Sequence, residues 1–207
     1  MQHEALHLPA YNGSHIDGSI FTDVTNFARH TQWLNRAAED WTTYSIGVFI
    51  ILLLVGWWIS RRKDTATMTA ALVAPIAVLV AFLVTEIIKS QIAELRPCRS
   101  MPHAFIIESC PAPTDYAMPS GHTTFAVATA IALLIVNRKL GMLTLLLAIL
   151  EGVSRVYVGA HYPHDVVAAF IVAIVVVIPV SLILRRLLVG LVGWLRRGPL
   201  RPLLLAA

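Results

Sequence analysis

The stretch DVVAAFIVAIVVVIPVSLIL, residues 165–184, is apolar apart from Asp165 at its first position and Ser181 near its end. An α-helix rises about 1.5 Å per residue, so about 20 residues cross the roughly 30 Å hydrocarbon core of a bilayer. Pro179 lies inside the stretch, which membrane helices tolerate because neighbouring helices satisfy the freed backbone groups. The stretch therefore predicts a transmembrane helix.

Four further stretches are similarly apolar: 44–60, 66–89, 120–136 and 140–158. Hydrophobic residues make up 57% of the 207 residues, charged residues make up 14%, and the mean hydropathy is +0.71. A soluble domain of this size cannot cover so much apolar surface with so few charges. We therefore predict an all-α polytopic membrane bundle of about five transmembrane helices, forming a single domain over 1–207.

The N-terminal segment, 1–42, differs from the rest of the chain because it is polar and mixed. Residues 1–18 are interpreted as a loose segment, and the spacing of apolar residues over 19–41 predicts an amphipathic helix. This helix is too polar to span, so we expect it at the membrane surface or across the top of the bundle. The segment lacks the charged start and apolar core of a cleavable signal peptide, so the first span is expected to direct insertion.

The distribution of Lys and Arg predicts the orientation in the membrane. Ten of the 16 basic residues fall in the 61–63 turn, the 138–139 turn and the tail from 185, which five spans place on one side. This side is predicted to be cytoplasmic, with the N-terminus and the 96–117 loop outside. The basic residues cluster at the ends of apolar runs and form no continuous stripe, so we expect no nucleic-acid partner.

The two cysteines of the chain, Cys98 and Cys110, lie in this outer loop. Disulfides persist outside the cytoplasm, so we predict a bridge between them. Two unpaired cysteines that are merely close in sequence are the alternative.

Polar residues form three clusters at the predicted outer ends of the spans. The clusters are Lys89, Arg96 and Pro97; Pro119, Ser120, Gly121 and His122; and Ser154, Arg155, His161 and Asp165. Three cations with few nearby anions favour binding of an anion, and the arginine fork suits phosphate. Ser120 and Gly121 lie where a helix begins, and free backbone N–H groups at a helix N-terminus also bind anions. The clusters therefore predict a phosphate site.

Two histidines add chemistry to this site. Asp165 follows His161 by four positions, so on a helix its carboxylate can accept from one ring nitrogen and leave the other as a nucleophile. His122 is placed to protonate a leaving group. His161, His164 and Asp165 also match a metal site, but three nearby cations would repel a metal ion, so we expect none. Each cluster alone has an ordinary explanation, such as a snorkelling lysine or a helix start, whereas all three together indicate a catalytic site.

The spacings Lys-x6-Arg-Pro, Pro-Ser-Gly-His and Ser-Arg-x5-His-x3-Asp resemble the three-part signature of the type 2 phosphatidic acid phosphatase (PAP2) superfamily over residues 85–170. The resemblance implies that His161 attacks phosphorus, Asp165 orients His161, and His122 protonates the leaving oxygen and later assists water. It also implies a set of phosphoryl-binding residues and no metal or other cofactor. The implied set is Lys89, Arg96, Ser120, Gly121 and Arg155. The superfamily includes soluble vanadium haloperoxidases, which five apolar spans disfavour.

The short chain, the amphipathic N-terminus and the segment 161–166 also resemble the bacitracin-resistance type of undecaprenyl-diphosphate phosphatase. That resemblance implies removal of the terminal phosphate of a polyprenyl diphosphate at the outer face, which recycles the lipid carrier of cell-wall synthesis. A phosphatase for phosphatidic acid or phosphatidylglycerol phosphate is the alternative enzyme. A non-catalytic lipid transporter is more remote, because His122, His161 and Asp165 are all present. The sequence shows no interface, so the oligomeric state is left open.

The remaining acidic residues near the clusters are given structural explanations. Glu86 and Glu151 each precede a cation by about one helical turn, and we expect pairing with that cation in preference to a role in tuning the site. Glu94 is expected to face solvent. His164 is treated as a residue that only flanks the signature.

Overall fold

The computed structural model describes residues 10–198 and 200–205, and over these residues it is helical, with one isolated bridge between Tyr11 and Glu94. The elements are α1 (Ser14–His30), α2 (Gln32–Ser60), α3 (Thr65–Ile92), α4 (Pro97–Ser100), α5 (Gly121–Val136), α6 (Arg138–Tyr157), α7 (Pro163–Leu195) and α8 (Arg201–Leu204). The predicted all-α membrane bundle is confirmed.

Four helices of the described chain, α2, α3, α6 and α7, are long and apolar enough to cross a membrane. Their outward faces carry exposed apolar side chains, including Leu54, Leu83, Ile149 and Val175. Such continuous apolar surface is stable in contact with lipid chains and not with water. The protein is therefore an integral membrane protein.

The predicted third span is the helix α5, which has 16 residues and is shorter than the other four. It is the central helix, with a core that includes Ala126, Ala130 and Leu133, and α3, α6 and α7 pack around it. Small residues such as Ala77 and Ala81 on α3 let the helix backbones approach closely. Because its neighbours cover it, α5 needs less length than a lipid-facing span.

The predicted amphipathic helix over 19–41 is wrong in its boundaries. Helix α1 begins at Ser14, inside the segment interpreted as loose, and it ends at His30. Thr31 leaves the helical conformation with φ −113° and ψ 47°, and its hydroxyl contacts the Tyr157 hydroxyl at 2.7 Å. Helix α2 then runs without a break from Gln32 into the first span. Residues 1–9 of the predicted loose segment lie outside the described residues.

Helix α1 packs across the ends of α6 and α7 that are predicted to face outward and that we call the outer ends. This is one of the two placements expected for it. Phe21 and Ala28 on its inner face are fully buried, Phe21 against the Tyr162 ring and Ala28 in a cluster with Tyr157. The chain before α1 is fixed by backbone hydrogen bonds from Tyr11 to Ala93 and from Leu95 to Tyr11, at 3.0 and 2.8 Å. The N-terminal segment is thus built into the outer face of the bundle.

The outer loop between α3 and α5 covers the same end. A disulfide joins Cys98 to Cys110 across this loop. The backbone N–H groups of Ile107 and Glu108 both donate to the Val158 carbonyl, which holds the loop against the end of α6. This arrangement places the side chains of the loop above the ends of α3, α5 and α6.

Helix α7 is longer than the predicted fifth span, because it continues past 184 to Leu195 and includes Arg185 and Arg186. At its far end, Arg196 donates to the Lys63 carbonyl at 2.8 Å and to the Thr65 hydroxyl at 3.1 Å. These contacts tie the end of α7 to the α2–α3 turn.

Candidate active site

His161 lies in the turn between α6 and α7, and its side chain is almost fully buried. The turn includes Gly159 at φ +81°, where a Cβ atom would lie 2.7 Å from the Ile106 side chain. The N–H group at His161 Nδ1 donates to Asp165 Oδ2 at 3.2 Å, and the Tyr162 backbone N–H donates to the same oxygen at 2.8 Å. The proton on Nδ1 puts the lone pair on Nε2, which can act as a nucleophile once it is released from a hydrogen-bond donor.

The charge state of His161 suits that role. Burial lowers the pKa of the His161 imidazole well below 6.5, and the positive charges of Arg96, Arg155 and Lys89 lower this pKa further. The ring is therefore neutral near pH 7, and a neutral ring has the lone pair that an imidazolium lacks.

Arg96 connects His161 with an anion. Its Nη1 donates to His161 Nε2 at 2.8 Å and to the Ala160 carbonyl at 3.1 Å. Its Nη2 donates to Asp115 Oδ1 at 2.8 Å, and its Nε donates to the Asp115 carbonyl at 3.3 Å. The Lys89 ammonium lies 3.6 Å from the same Asp115 Oδ1. An oxyanion is thus held beside the nucleophile by two of the predicted phosphate-binding cations.

The expectation of cations with few nearby anions is wrong, because acidic residues of the outer loop pair with them. Arg155 makes a two-pronged contact with Glu108, at 2.6 Å from Nη1 to Oε2 and 2.9 Å from Nη2 to Oε1. Partial burial raises the pKa of Asp115, but hydrogen bonding and the charges of Arg96 and Lys89 bring this pKa below 3.8. Buried cations are costly without a partner, so the loop carboxylates stabilise this form of the site.

Ser120 is the N-cap of α5, and it does not present a free backbone N–H group as expected. Its backbone N–H donates to the Asp165 carbonyl at 3.2 Å, and its hydroxyl accepts from the Thr123 backbone N–H at 3.4 Å. Hydrogen bonds of the described chain leave the N–H groups of Gly121 and His122 available, so the helix N-terminus still offers two donors. The expected donor set is therefore shifted by one residue.

Gly121 brings the start of α5 close to the end of α3. A Cβ atom at this position would lie 3.4 Å from Glu86 Oε1, 3.4 Å from Phe82 and 3.6 Å from Lys89 Nζ. His122 follows on the same turn and is half-buried. The structure therefore brings all eight predicted catalytic and phosphate-binding residues to one end of the bundle.

The acidic residues were only partly anticipated. Glu86 pairs with Lys89 at 3.3 Å, as expected. Glu151 does not pair with Arg155, because Arg155 is held by Glu108, and both Glu151 carboxylate oxygens are buried without a hydrogen-bond partner among the described residues. Glu94, expected to face solvent, is fully buried and contacts His164 at 2.8 Å.

Sequence reasoning missed Asp17, Asp115 and Glu108 as members of this region. Asp17 bonds to His164 across 147 positions, and neither loop acid has a fixed spacing to its cation. Buried or membrane-facing cations need counter-ions. This rule predicts that acidic residues lie near the cations, but it does not identify them.

The arrangement joins a buried histidine–carboxylate pair to three cations and a glycine-bearing helix start. A family model described as the PAP2 superfamily matches residues 70–188, which include all of these side chains. The chain belongs to the PAP2 superfamily. The sequence-based recognition of this superfamily is thereby confirmed.

Individual PAP2 proteins resemble this chain over most of its length. It is 32% identical over 158 residues to undecaprenyl-diphosphatase BcrC of Bacillus subtilis, covering 76% of this chain and 78% of that protein. The fold resembles crystal structures of LpxE from Aquifex aeolicus and of a PAP2 type phosphatidylglycerolphosphate phosphatase from Bacillus subtilis, each with a TM-score of 0.59. The LpxE structure is 19% identical in sequence, and the match covers 83% of this chain and 95% of LpxE. The phosphatidylglycerolphosphate phosphatase is 20% identical, and the match covers 80% of this chain and 85% of that protein.

Proposed function

We propose that this PAP2 protein is a lipid phosphatase that removes the terminal phosphate of a polyprenyl diphosphate, undecaprenyl diphosphate in the first instance, by way of a phosphohistidine on His161. The observation that carries the proposal is the position of Arg96. Its guanidinium contacts the lone-pair nitrogen of His161 and a carboxylate oxygen at 2.8 Å each. A phosphoryl group held by Arg96 in place of that carboxylate would lie next to the nucleophile.

The reaction follows from the contacts around His161. Nε2 attacks the terminal phosphorus and the bond to the bridging oxygen breaks, with negative charge held by Lys89, Arg96 and Arg155. His122 gives its proton to the leaving polyprenyl phosphate. Asp165 stabilises the positive charge that develops on the His161 ring. In the second half, His122 takes a proton from water, which attacks the phosphohistidine and releases inorganic phosphate.

Three cations around the phosphate perform the charge neutralisation for which many phosphatases use metal ions. We therefore propose that this reaction proceeds without a metal cofactor. The cations also need to exchange partners, because Asp115 and Glu108 occupy them before phosphate binds.

A lateral groove supports a lipid substrate. It has a volume of about 590 Å³ between α2 and α3 and is lined by apolar side chains, including Leu54, Leu79, Phe82 and Phe125. Phe82 also lies 3.4 Å from the Cβ position of Gly121, so the groove reaches the start of α5 beside Lys89. An isoprenoid chain lying in this groove would bring its diphosphate to the cations. The 32% identity to undecaprenyl-diphosphatase BcrC favours a polyprenyl chain over a diacylglycerol.

We also propose that the site faces the outside of the cell. Ten of the 16 Lys and Arg residues lie on the opposite side of the predicted topology, and the loop over the site contains the Cys98–Cys110 disulfide. Basic residues favour the cytoplasmic side and disulfides favour oxidising compartments, so the two features support one orientation.

The test is phosphate release by the purified protein in detergent with EDTA, comparing undecaprenyl diphosphate, phosphatidic acid and phosphatidylglycerol phosphate. We expect the highest kcat/KM for the diphosphate and loss of turnover in His161→Ala. His30→Ala is the matched control, because the His30 side chain is exposed and, among the described residues, bonds only to the Asn26 carbonyl. Preference for a phospholipid would reject the polyprenyl substrate, substantial turnover by His161→Ala would reject the nucleophile, and activity lost to EDTA and restored by Mg²⁺ would reject the metal-free reaction.

A further inference from the structure

His164 stands behind the catalytic pair and is enclosed by carboxylates from three parts of the chain. Its Nδ1 lies 2.7 Å from Asp17 Oδ1 on α1, and its backbone N–H donates to Asp17 Oδ2 at 2.7 Å. Its Nε2 lies 2.8 Å from Glu94 Oε1 and 3.5 Å from Asp165 Oδ1. Asp17, Glu94 and Asp165 are thus the acidic groups that face this ring, and Tyr162 stacks on it at 5.3 Å between ring centroids.

Two hydrogen bonds to carboxylates determine the protonation state of this ring. A neutral imidazole has one N–H group and one lone pair, so one of the two contacts would set a lone pair against a carboxylate oxygen. An imidazolium donates at both nitrogens and meets both carboxylates favourably. The same geometry argues against a metal ion, although single ligand atoms of Glu94, His164 and Asp165 lie within 4.8 Å of one another, because an imidazolium has no lone pair for a metal.

The position of the His164 ring is also fixed by Tyr162, which stacks on its face, and by the close approach of Gly13. Tyr162 lies nearly parallel to it, at an interplanar angle of 12°, as expected for a cation over an aromatic face. Burial raises the pKa of the Tyr162 phenol to about 12, so this ring is neutral, and its hydroxyl contacts the Ser100 hydroxyl at 2.6 Å. Gly13 closes the remaining side, where a Cβ atom would lie 1.6 Å from Glu94 Oε1.

The catalytic aspartate depends on this charge. Asp165 is fully buried. Its Oδ2 accepts hydrogen bonds from His161 and the Tyr162 backbone, whereas its Oδ1 has no hydrogen-bond partner within the described chain. Glu94 lies nearby, is also fully buried, and has one unpartnered oxygen. Two buried carboxylates repel each other unless a cation lies between them, and without one Asp165 would take up a proton and lose its hold on His161.

We propose that His164 is a positioning residue that is positively charged at neutral pH, keeps Asp165 ionised, and ties α1 to the catalytic centre through Asp17. The inference rests on the proposed phosphatase reaction, because it assigns His164 a part in maintaining the His161–Asp165 pair. Helix α1 then contributes to catalysis through Asp17, which is not one of the predicted phosphate-binding residues.

The first test is the pH dependence of kcat in His164→Asn, with His30→Asn as the matched control on an exposed histidine. We expect kcat to fall roughly tenfold or more, as for other removed partners of a catalytic group, with KM within about twofold. The acid limb of kcat should move to higher pH, because Asp165 is protonated more readily. The double variant Glu94→Gln, His164→Asn removes the uncompensated carboxylate and should recover part of the lost kcat.

A fall in kcat with an unchanged acid limb would mean a merely structural role and would overturn the proposal, as would an unchanged kcat. Loss of phosphate release by the wild-type protein on every lipid tested would instead reject the proposed function.

A second measurement does not require activity. In the ¹⁵N spectrum of the histidine-labelled wild-type protein, we expect one ring with both nitrogens protonated at pH 7.5, which is lost in His164→Asn or shifted in Asp17→Asn. A neutral ring at that position would overturn the proposal. One equivalent of bound divalent metal in the purified protein, absent from Glu94→Gln, would also overturn it in favour of a metal site.

Discussion

At the scale of single residues, internal anions contact the three cations that we propose bind the phosphate. Asp115 contacts Lys89 and Arg96, and Glu108 contacts Arg155, so both loop acids occupy the positions expected for phosphoryl oxygens. A buried cation that is paired before binding must exchange its partner, and the exchange weakens apparent affinity. We therefore expect the loop acids to stabilise this form of the site and to lower substrate affinity.

Asp115→Asn tests this competition. Removing the carboxylate charge should lower KM for the lipid diphosphate by about three- to tenfold, equivalent to about 1 kcal/mol, with kcat changed less. Steady-state phosphate release measures both constants, and Asp40→Asn, on the exposed part of α2, is the control. A raised KM would show that Asp115 orients Lys89 and Arg96 for phosphate and does not compete with it.

The pH profile tests the protonation state of the nucleophile. Because the pKa of His161 is lowered well below 6.5, the ring stays neutral and reactive as the pH falls through 6.5. We expect the acid limb of kcat/KM to lie below pH 6.5. Undecaprenyl diphosphate and phosphatidic acid ionise at different pH values. An acid limb that appears at the same pH with both substrates therefore reports a group of the protein. A shared limb at pH 6.5 or above would contradict the assignment.

The spacing of the signature residues was sufficient to predict which side chains meet, because each cluster is local and each lies at an outer helix end. The identity of the counter-ions was not predictable. Asp17, Asp115 and Glu108 reach their partners through the packing of α1 and of the outer loop, and no periodicity in the sequence records that packing. Glu151 is the reverse case, because a local spacing predicted a contact that does not form. Its one-turn spacing predicted an ion pair with Arg155, but Arg155 pairs with Glu108 of the loop.

At the scale of elements, the apolar runs predicted which helices exist, and tertiary contacts set where they end. Helix α1 stops at Thr31 because the Tyr157 hydroxyl bonds there, which is a contact with a distant part of the chain. Helix α7 continues through Arg185 and Arg186 to Leu195, and Arg196 then bonds to the α2–α3 turn. Hydrophobic periodicity detects burial along one element and cannot detect such contacts between elements.

The docking of α1 depends on a residue without a side chain. In Gly13→Ala the new Cβ would overlap Glu94 Oε1, with a separation of 1.6 Å, so the start of α1 or Glu94 must move. We expect loss of about 1–3 kcal/mol of stability and reduced kcat. Thermal unfolding in detergent and phosphate release measure the two effects. Gly47→Ala is the matched control, since nothing lies within 4 Å of its Cβ position, and equal behaviour of the two variants would contradict the docking.

At the scale of the whole molecule, the proposed orientation is open to a direct labelling experiment. In Cys98→Ser the remaining Cys110 is exposed in the outer loop. We expect a membrane-impermeant maleimide to label it in intact cells. Lys63→Cys in the Cys98→Ser, Cys110→Ser background is the opposite-side control, because it places an exposed thiol in the α2–α3 turn. Labelling of position 63 and protection of position 110 would reverse the orientation.

The groove between α2 and α3 is lined by apolar side chains of two helices that can cross a membrane. If it admits the lipid as proposed, the long chain can remain among its neighbours in the bilayer while only the head group enters the protein. The rate of the enzyme then depends on the mole fraction of substrate in the membrane and not on the substrate concentration in the buffer. Turnover should follow surface-dilution behaviour, falling as inert detergent or lipid is added at constant total substrate. Amphiphiles that partition into the same plane would compete at low bulk concentration.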